Sequence, residues 1–255
     1  MRVFGKYAYY YDLLYKDKDY AAEAEYVQRL LRKYAPETKT VLELGCGTGI
    51  HAHLLSGMGY TLHGVDWSPA MLEFASRRVP GPGSGPAAQP SFSLGDVRGV
   101  RMDNKFDAVI SLFHVMSCQT TNDDLMASFA TAKFHLNPGG ILVFDCWYGP
   151  AVLSQKPAVR VKHFEDDRIL VTRIAEPIMH PDENIVDVNY QVIIRNKSGG
   201  SVEELHETHR MRYLFVPEVA FFLSQHGLKL LDRFEWMSGR EPGFDTWGIC
   251  FVAQA

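Results

Sequence analysis

The chain has 255 residues, 46% of them hydrophobic, which suits one α/β domain with an elaboration and a full core. Its formal net charge is −4 and it has no basic run, so a small-molecule substrate is expected and a nucleic-acid partner is not. Cys46, Cys118, Cys146 and Cys250 are scattered with no C-x-x-C pair, which reads as reduced thiols in a cytoplasmic protein. The N-terminus has no uninterrupted apolar stretch and no apolar run approaches a membrane span, so a soluble, non-exported protein is expected.

The leader is rich in aromatics: Phe4, Tyr7, Tyr9, Tyr10, Tyr11 and Tyr15, mixed with Asp and Lys. From Tyr20 to Tyr34 the pattern becomes helical, with Ala21, Ala24, Val27, Leu30, Leu31 and Tyr34 on one stripe, and Pro36 stops it. Such a leader is expected to fold over a ligand pocket as a lid; the plainer alternative is an arm that covers core surface.

Thr40–Gly49 is the stretch around which the rest is organised. Val41, Leu42 and Leu44 form the short apolar run of a strand buried on both faces of a parallel sheet. Gly45, Gly47 and Gly49 follow, then a helix-like segment from Ile50 to Met58. A strand, a glycine turn and a helix make a loop into which a ligand can press, because no Cβ stands in the way. The dinucleotide fingerprint wants its third glycine where this chain has Ile50, and that fingerprint serves a pyrophosphate. Glu43, within the strand, would accept from an ammonium group and repel phosphate. The pattern therefore points to a ligand without a pyrophosphate.

Thr61–Val65 reads as a second strand ending in Asp66, which stands 21 residues after Gly45. An acid so placed accepts ribose hydroxyls. Ser68 and Pro69 cap a helix running through Arg78. A Gly- and Pro-rich surface loop, Gly81–Pro90, precedes a short strand, Ser91–Leu94. Asp96 follows that strand, where it would accept from an adenine amine. Cys46, Trp67, Val97 and Leu112 are adjacent to these positions or end the next strand, and are counted with them as lining residues.

Phe106–Phe113 is the fourth strand, with His114 at its carboxyl end, the edge where open α/β sheets bind ligands. A helix from Asp123 to Leu136 is closed by Asn137–Gly140, and Ile141–Phe144 makes the fifth strand, running into Asp145–Tyr148. The strand–helix units in a row imply a mostly parallel sheet with right-handed crossovers. Residues 158–215 are strand-like and read as an antiparallel insertion after the fifth strand. A helix at Pro217–His226 and strands at Lys229–Trp236 and Thr246–Ala253 complete the chain. His206–Glu207–Thr208–His209 is not H-E-x-x-H, and on a strand positions 206 and 209 face opposite ways, so no metal is expected there.

Val41–Gly49 resembles the first motif of class I S-adenosylmethionine-dependent methyltransferases. That resemblance implies a Rossmann-like α/β sheet with one antiparallel strand and an antiparallel β insertion after strand 5. It divides the chain into a lid segment and helix (1–36), a cofactor-binding domain (37–150 and 216–255) and an inserted subdomain (151–215). It implies S-adenosylmethionine as cofactor, S-adenosylhomocysteine as product, no metal, and a small-molecule methyl acceptor; a homodimer is compatible with it. Glu43, Gly45, Cys46, Gly47, Asp66, Trp67, Asp96, Val97 and Leu112 would hold the cofactor.

Tyr11–Tyr15, Lys18–Ala24, Trp147–Tyr148 and Ser238–Arg240 are similar to segments of bacterial N,N-dimethyltransferases of nucleotide-linked amino sugars. By that resemblance Tyr11, Tyr15 and Tyr20 border the methionine end of the cofactor or the acceptor. Trp147 and Tyr148 would meet the acceptor, and Arg240 would reach toward its diphosphate. Those enzymes tend to carry His or Tyr where this chain has Cys118. The acceptor is thus open among an amino sugar, a sugar hydroxyl and a small amine such as glycine. A neutral amine attacks directly, whereas a hydroxyl needs a base, for which His114 is the candidate, and Tyr11 is counted with it as a catalytic residue. The rival classes are a nicotinamide oxidoreductase, which lacks its third glycine here, and a binding module without activity. Glu43, Asp66 and Asp96 together argue against the latter.

Overall fold

The computed structural model describes residues 8–78 and 89–255. Phe4, Tyr7, the side chain of Tyr9 and most of the Gly- and Pro-rich loop lie outside the described residues. Two helices, α1 (Ala8–Leu14) and α2 (Tyr20–Tyr34), lead into β1 (Thr40–Leu44), α3 (Ile50–Gly57), β2 (Thr61–Asp66), α4 (Pro69–Arg77) and β3 (Ser91–Leu94). Next come β4 (Phe106–Ser111), a 3-10 turn (Val115–Cys118), α5 (Asn122–His135), β5 (Leu136–Tyr148) and α6 (Gly149–Gln155). The strands β6 (Arg160–Glu165), β7 (Ile169–His180), β8 (Ile185–Asn196) and β9 (Val202–Leu214) form the insertion. Then α7 (Val216–Gln225), β10 (Lys229–Glu235) and β11 (Gly248–Gln254) end the chain.

The central sheet runs β3-β2-β1-β4-β5-β11-β10. Neighbours from β3 to β5 are parallel, and β11 is antiparallel to both β5 and β10. Alternate side chains build the two faces. Leu42, Leu44, Val109, Leu142 and Phe144 pack against Leu125 and Phe129 of α5 and Leu223 of α7. Val41, Ala108, Ile110, Ile141 and Val143 pack against Val27 and Leu31 of α2 and Leu55 of α3. Because both faces are covered, the core strands read as apolar runs rather than alternating ones.

Several boundaries differ from the sequence reading. β4 ends at Ser111 because Phe113 and His114 take left-handed φ of 63° and 64°, which turns the chain out of the sheet. β5 begins at Leu136, so Asn137–Gly140, expected as a turn, belongs to the strand. There the register slips between Phe106 and Ala108, and Gly139 and Gly140 bond to Ala255, so the end of the chain supplies the partners. Helix α6 had no signal beyond Pro150 near its start. On α2, Ala21 is exposed, while Glu23 and Tyr26 join the buried stripe.

The insertion is an antiparallel sheet in the order β6-β7-β8-β9. Tyr213 and Leu214 at the end of β9 pair in parallel with Trp147 and Tyr148. β11 holds one edge of β5 from Ile141 to Trp147, so β9 takes the edge that β4 vacates where it turns out. Leu14 of α1 is buried among Phe164, Val171, Val192, Ile194 and Leu205 of the insertion. The leader is thereby held between the insertion and the carboxyl edge of the central sheet.

Candidate active site

A cavity of about 340 Å³ opens at the carboxyl ends of β1, β2 and β4, a volume in the range of small-molecule sites. Among the residues expected from sequence, Tyr11, Tyr20, Glu43, Gly45, Cys46, Gly47, Asp66, Trp67, Asp96, Val97 and Leu112 line it. Tyr15 stands one layer out, with its ring 4.8 Å from that of Tyr11 and 5.0 Å from that of Phe113, which is on the wall.

The glycine loop is shaped by close approach. Gly45 has φ 78°, and a Cβ there would lie 2.6 Å from a Val115 methyl. The segment after β4 can seat against the loop only because that atom is missing. Gly47, at φ 54°, faces open space with nothing within 4 Å of a Cβ position. Asp66 braces the same loop: its carboxylate accepts the N–H of Gly47 at 2.8 Å and of Ser68 at 2.9 Å. A carboxylate has about four acceptor positions, so Asp66 keeps capacity to accept from a ligand hydroxyl. Burial raises the Asp66 carboxyl, and the backbone N–H groups of Ser68, Gly47 and Trp67 oppose that rise.

Glu43 is 1% exposed, and its Oε2 has no hydrogen-bond partner. Burial, followed by the charge of Asp66, pushes its carboxyl up to about 8 against the pull of Lys18. An orphaned buried acceptor on the cavity wall suits a cationic ligand group, which would restore its charge. Behind it, His51 Nδ1 lies 3.7 Å from Glu43 Oε1, and His51 Nε2 bonds Glu23 at 2.8 Å. Trp236 Nε1 donates to the other Glu23 oxygen at 3.3 Å, and Lys18 pairs with Glu23. The Lys18 ammonium sits 4.1 Å from the Tyr20 ring centre and 4.4 Å from that of Phe113. Sequence reasoning missed Lys18, Glu23 and His51. The available signal was an acid on the buried stripe of α2.

Asp96 is engaged by Arg98, with Nε at 2.9 Å and Nη2 at 2.6 Å, and Arg98 Nη1 reaches Asp124 at 2.8 Å. The guanidinium holds the Asp96 carboxyl below its ordinary value. Arg98 also lines the cavity, and the sequence reading overlooked it although it stands two residues from Asp96. The leader is tied across the site by Asp12, which accepts from Thr48 Oγ1 at 2.8 Å and from Arg78 at 2.6 Å.

On the far side, His114 Nδ1 lies 2.7 Å from Asp145 Oδ2, and the His114 ring is 6.5 Å from that of Trp147. Cys118 lines the cavity, with its sulfur 3.9 Å from Met211 Sδ on β9. Tyr148 packs on the core beneath α7 and is not on the cavity wall. Arg240 is also off that wall: its Nη2 lies 2.7 Å from Glu235 in the turn between β10 and β11. His206 pairs with Glu204 and His209 with Glu207, at 70% and 12% side-chain exposure, on opposite faces of β9 as parity requires.

The fold is that of the class I S-adenosylmethionine-dependent methyltransferases, and the chain is similar in sequence to enzymes of that kind. Residues 41–140 match the family model described as a methyltransferase domain. The chain is 29% identical to dTDP-3-amino-3,4,6-trideoxy-alpha-D-glucopyranose N,N-dimethyltransferase of Streptomyces venezuelae, over 91% of this chain and 92% of that one. Its fold is similar to that of Streptomyces venezuelae DesVI, with TM-score 0.78, 26% identity and 99% of each chain covered. It is also similar to that of CalS10, an amino pentose methyltransferase from Micromonospora echinaspora solved with S-adenosylmethionine bound. There the TM-score is 0.75, with 23% identity and coverage of 100% of this chain and 98% of that one. No helix among the described residues is long and apolar enough to cross a membrane.

Proposed function

We propose that this chain methylates the amine nitrogen of a nucleotide-linked amino sugar. The observation that carries the reading is the extent of the likeness to the Streptomyces venezuelae dimethyltransferase. It covers 91% of the chain, far beyond the matched domain at 41–140 and through the inserted sheet. That sheet brings Met211 against Cys118 at the cavity and carries the leader with Tyr11 and Tyr15.

The residues fit the cofactor. Glu43 Oε2 would take its ammonium, the open face of Gly47 would admit its backbone, and Asp66 would hold the ribose. When bound, the cofactor supplies an electrophilic methyl on a sulfonium. The chain has to align the acceptor nitrogen behind that methyl and exclude water, a displacement that takes no metal. Tyr11, Tyr15 and Phe113 would close the site with flat faces suited to a cation, and Trp147, off the cavity wall, would have to turn a face to the acceptor. Arg240 would exchange Glu235 for the acceptor's diphosphate.

Incubating the protein with S-adenosylmethionine and a dTDP-amino sugar, glycine or a phenol, then weighing the products, tests the reading. The amino sugar should gain one and then two methyl groups. Faster methylation of glycine or the phenol would leave the methyltransferase and remove the substrate. Arg240→Ala should raise KM for the nucleotide sugar and leave cofactor affinity alone.

A further inference from the structure

Asp145 is 1% exposed near the carboxyl end of β5, an acid on a strand otherwise buried among apolar groups. A lone buried carboxylate is costly, so its partners disclose its use. Both oxygens accept the backbone N–H of His114 at 3.2 Å, and Oδ2 faces Nδ1 of the same residue at 2.7 Å. One carboxylate therefore holds the backbone and faces the ring of a single residue. That hold also accounts for the left-handed His114, since a non-glycine residue holds φ 64° only where its surroundings enforce it.

We propose that Asp145 and His114 form the proton-accepting pair of this methyltransferase. His114 Nε2 is the base that takes the acceptor's proton, and Asp145 is the residue that positions it. A carboxylate only accepts, so the neutral imidazole keeps its proton on Nδ1 toward Asp145, and Nε2 is left with its lone pair. The Nδ1 contact is off the line of a well-formed hydrogen bond, as pairs of this kind often are before the reacting group binds. His114 is not itself on the cavity wall but stands between Phe113 and Val115, which are; its side chain is 26% exposed, whereas Asp145 is sealed. Its ring meets the edge of Trp147 and its Cε1 comes within 3.7 Å of the site of a Gly248 Cβ. The ring thus stands beside the start of β11, next to the turn after β4 that reaches the cavity.

The assignment rests on the amine-acceptor reading above. Amino-sugar nitrogens are ammonium groups at neutral pH and carry no lone pair to attack with. The ammonium N–H bond breaks and its proton moves to Nε2, giving an imidazolium that Asp145 neutralises. The freed pair forms the N–C bond as the C–S bond of the sulfonium breaks, its electrons leaving on sulfur. The same removal serves the second methylation, because the first product is again an ammonium. Other titratable groups also feel the Asp145 charge: Lys18, His51, Cys118, Cys146 and Cys250. Lys18 is the cation among them, so Lys18→Met serves as a control for a shift that comes from the field and not from the contact.

The test combines histidine NMR on the free protein with turnover against pH. In the protein labelled at histidine Cε1 and ring nitrogens, assigned by His114→Gln, His114 should be neutral as the Nδ1–H tautomer. Asp145→Asn should remove that preference and move its titration lower, the expected result of losing an anionic partner. In turnover, Asp145→Asn should lower kcat at least tenfold and shift the acid limb the same way, and His114→Gln should abolish the limb. Both variants should bind S-adenosylhomocysteine as the parent does. The proposal is overturned if His114 titrates identically with and without the Asp145 carboxylate, or if His114→Gln keeps the parental kcat throughout the acid range. Should Asp145→Asn fail to fold, His114→Gln and the tautomer of the parent protein decide the matter alone. If the parent binds cofactor and methylates no amino sugar, the substrate reading falls, and the NMR titration still judges the pair.

Discussion

Asp66 accepts the backbone N–H of Gly47 at 2.8 Å, so the acid that ends β2 braces the loop that follows β1. The two residues are 19 apart in sequence and become neighbours because β1 and β2 pair in parallel, Leu44 against Val65. A carboxylate that fixes the loop and would offer its remaining lone pairs to a ribose would tie cofactor affinity to loop geometry. Asp66→Ala should weaken S-adenosylhomocysteine binding by about 1.5–3 kcal/mol, the scale of hydrogen bonds to a charged group. Asp66→Asn keeps an acceptor oxygen and should lose less. Calorimetry giving equal affinity for all three proteins would remove the ribose role.

Glu43 gives a pH prediction with a definite sign. Its carboxyl is raised from 4.5 to about 8 in the ligand-free protein, so the folded state holds a proton that the unfolded state has already released. Glu43 therefore contributes a stability that is whole below its unfolded value and is lost as pH rises from about 4.5 to about 8. A bound ammonium makes the charged form the better one, so cofactor binding at pH 7 should release about one proton per site. Calorimetry in buffers of different ionisation enthalpy reads that proton directly. Glu43→Gln should release none, bind about tenfold or more weakly, and unfold with a flatter pH dependence.

Glu23 shows the opposite sign. Burial pushes its carboxyl up, but the bonds from His51 and Lys18 prevail and hold it down to about 2. Its contribution is present above the unfolded value of about 4.5 and is lost as pH falls toward 2. Glu23→Ala removes the hub joining Lys18, His51 and Trp236 and leaves buried groups unpaired. It should cost about 3–5 kcal/mol in denaturant unfolding at pH 7. A cost below about 1 kcal/mol would mean that the hub is solvated and not structural.

The parts of this site that were legible in the sequence are those written locally. Gly45, Gly47 and Asp66 are legible because a glycine turn between strand and helix and an acid ending the next strand have one structural use each. Asp96 had that kind of signal too, but its occupation by Arg98 did not, since a side chain two residues on may point anywhere. Lys18, Glu23 and His51 escaped because their contacts join the leader, α2 and α3 across 28 residues in the case of Glu23 and His51. His114 and Asp145 lie 31 residues apart on neighbouring strand ends, and only the parallel pairing of β4 with β5 sets one against the other. The end of β4 was overrun for the same reason. Phe113 fits a strand by propensity, and a tertiary contact at His114 overrides it.

The two glycines of the loop should separate folding from binding. A methyl at Gly45 would meet Val115 at 2.6 Å and would also sit on a residue with φ 78°. Gly45→Ala therefore has to push the turn after β4 away from the loop. A methyl at Gly47 meets nothing within 4 Å, so only its left-handed backbone at φ 54° opposes it, at about 1–2 kcal/mol. Yet Gly47 lines the cavity, and the added carbon would stand in the space that a ligand's backbone takes. Gly45→Ala should accordingly lose the more stability in thermal unfolding. Gly47→Ala should remain folded and lose at least tenfold in S-adenosylhomocysteine affinity, about 1.4 kcal/mol, in calorimetry. If Gly47→Ala binds as the parent does, the ligand does not press on this loop, and the orphaned Glu43 oxygen has to be matched to a different pose.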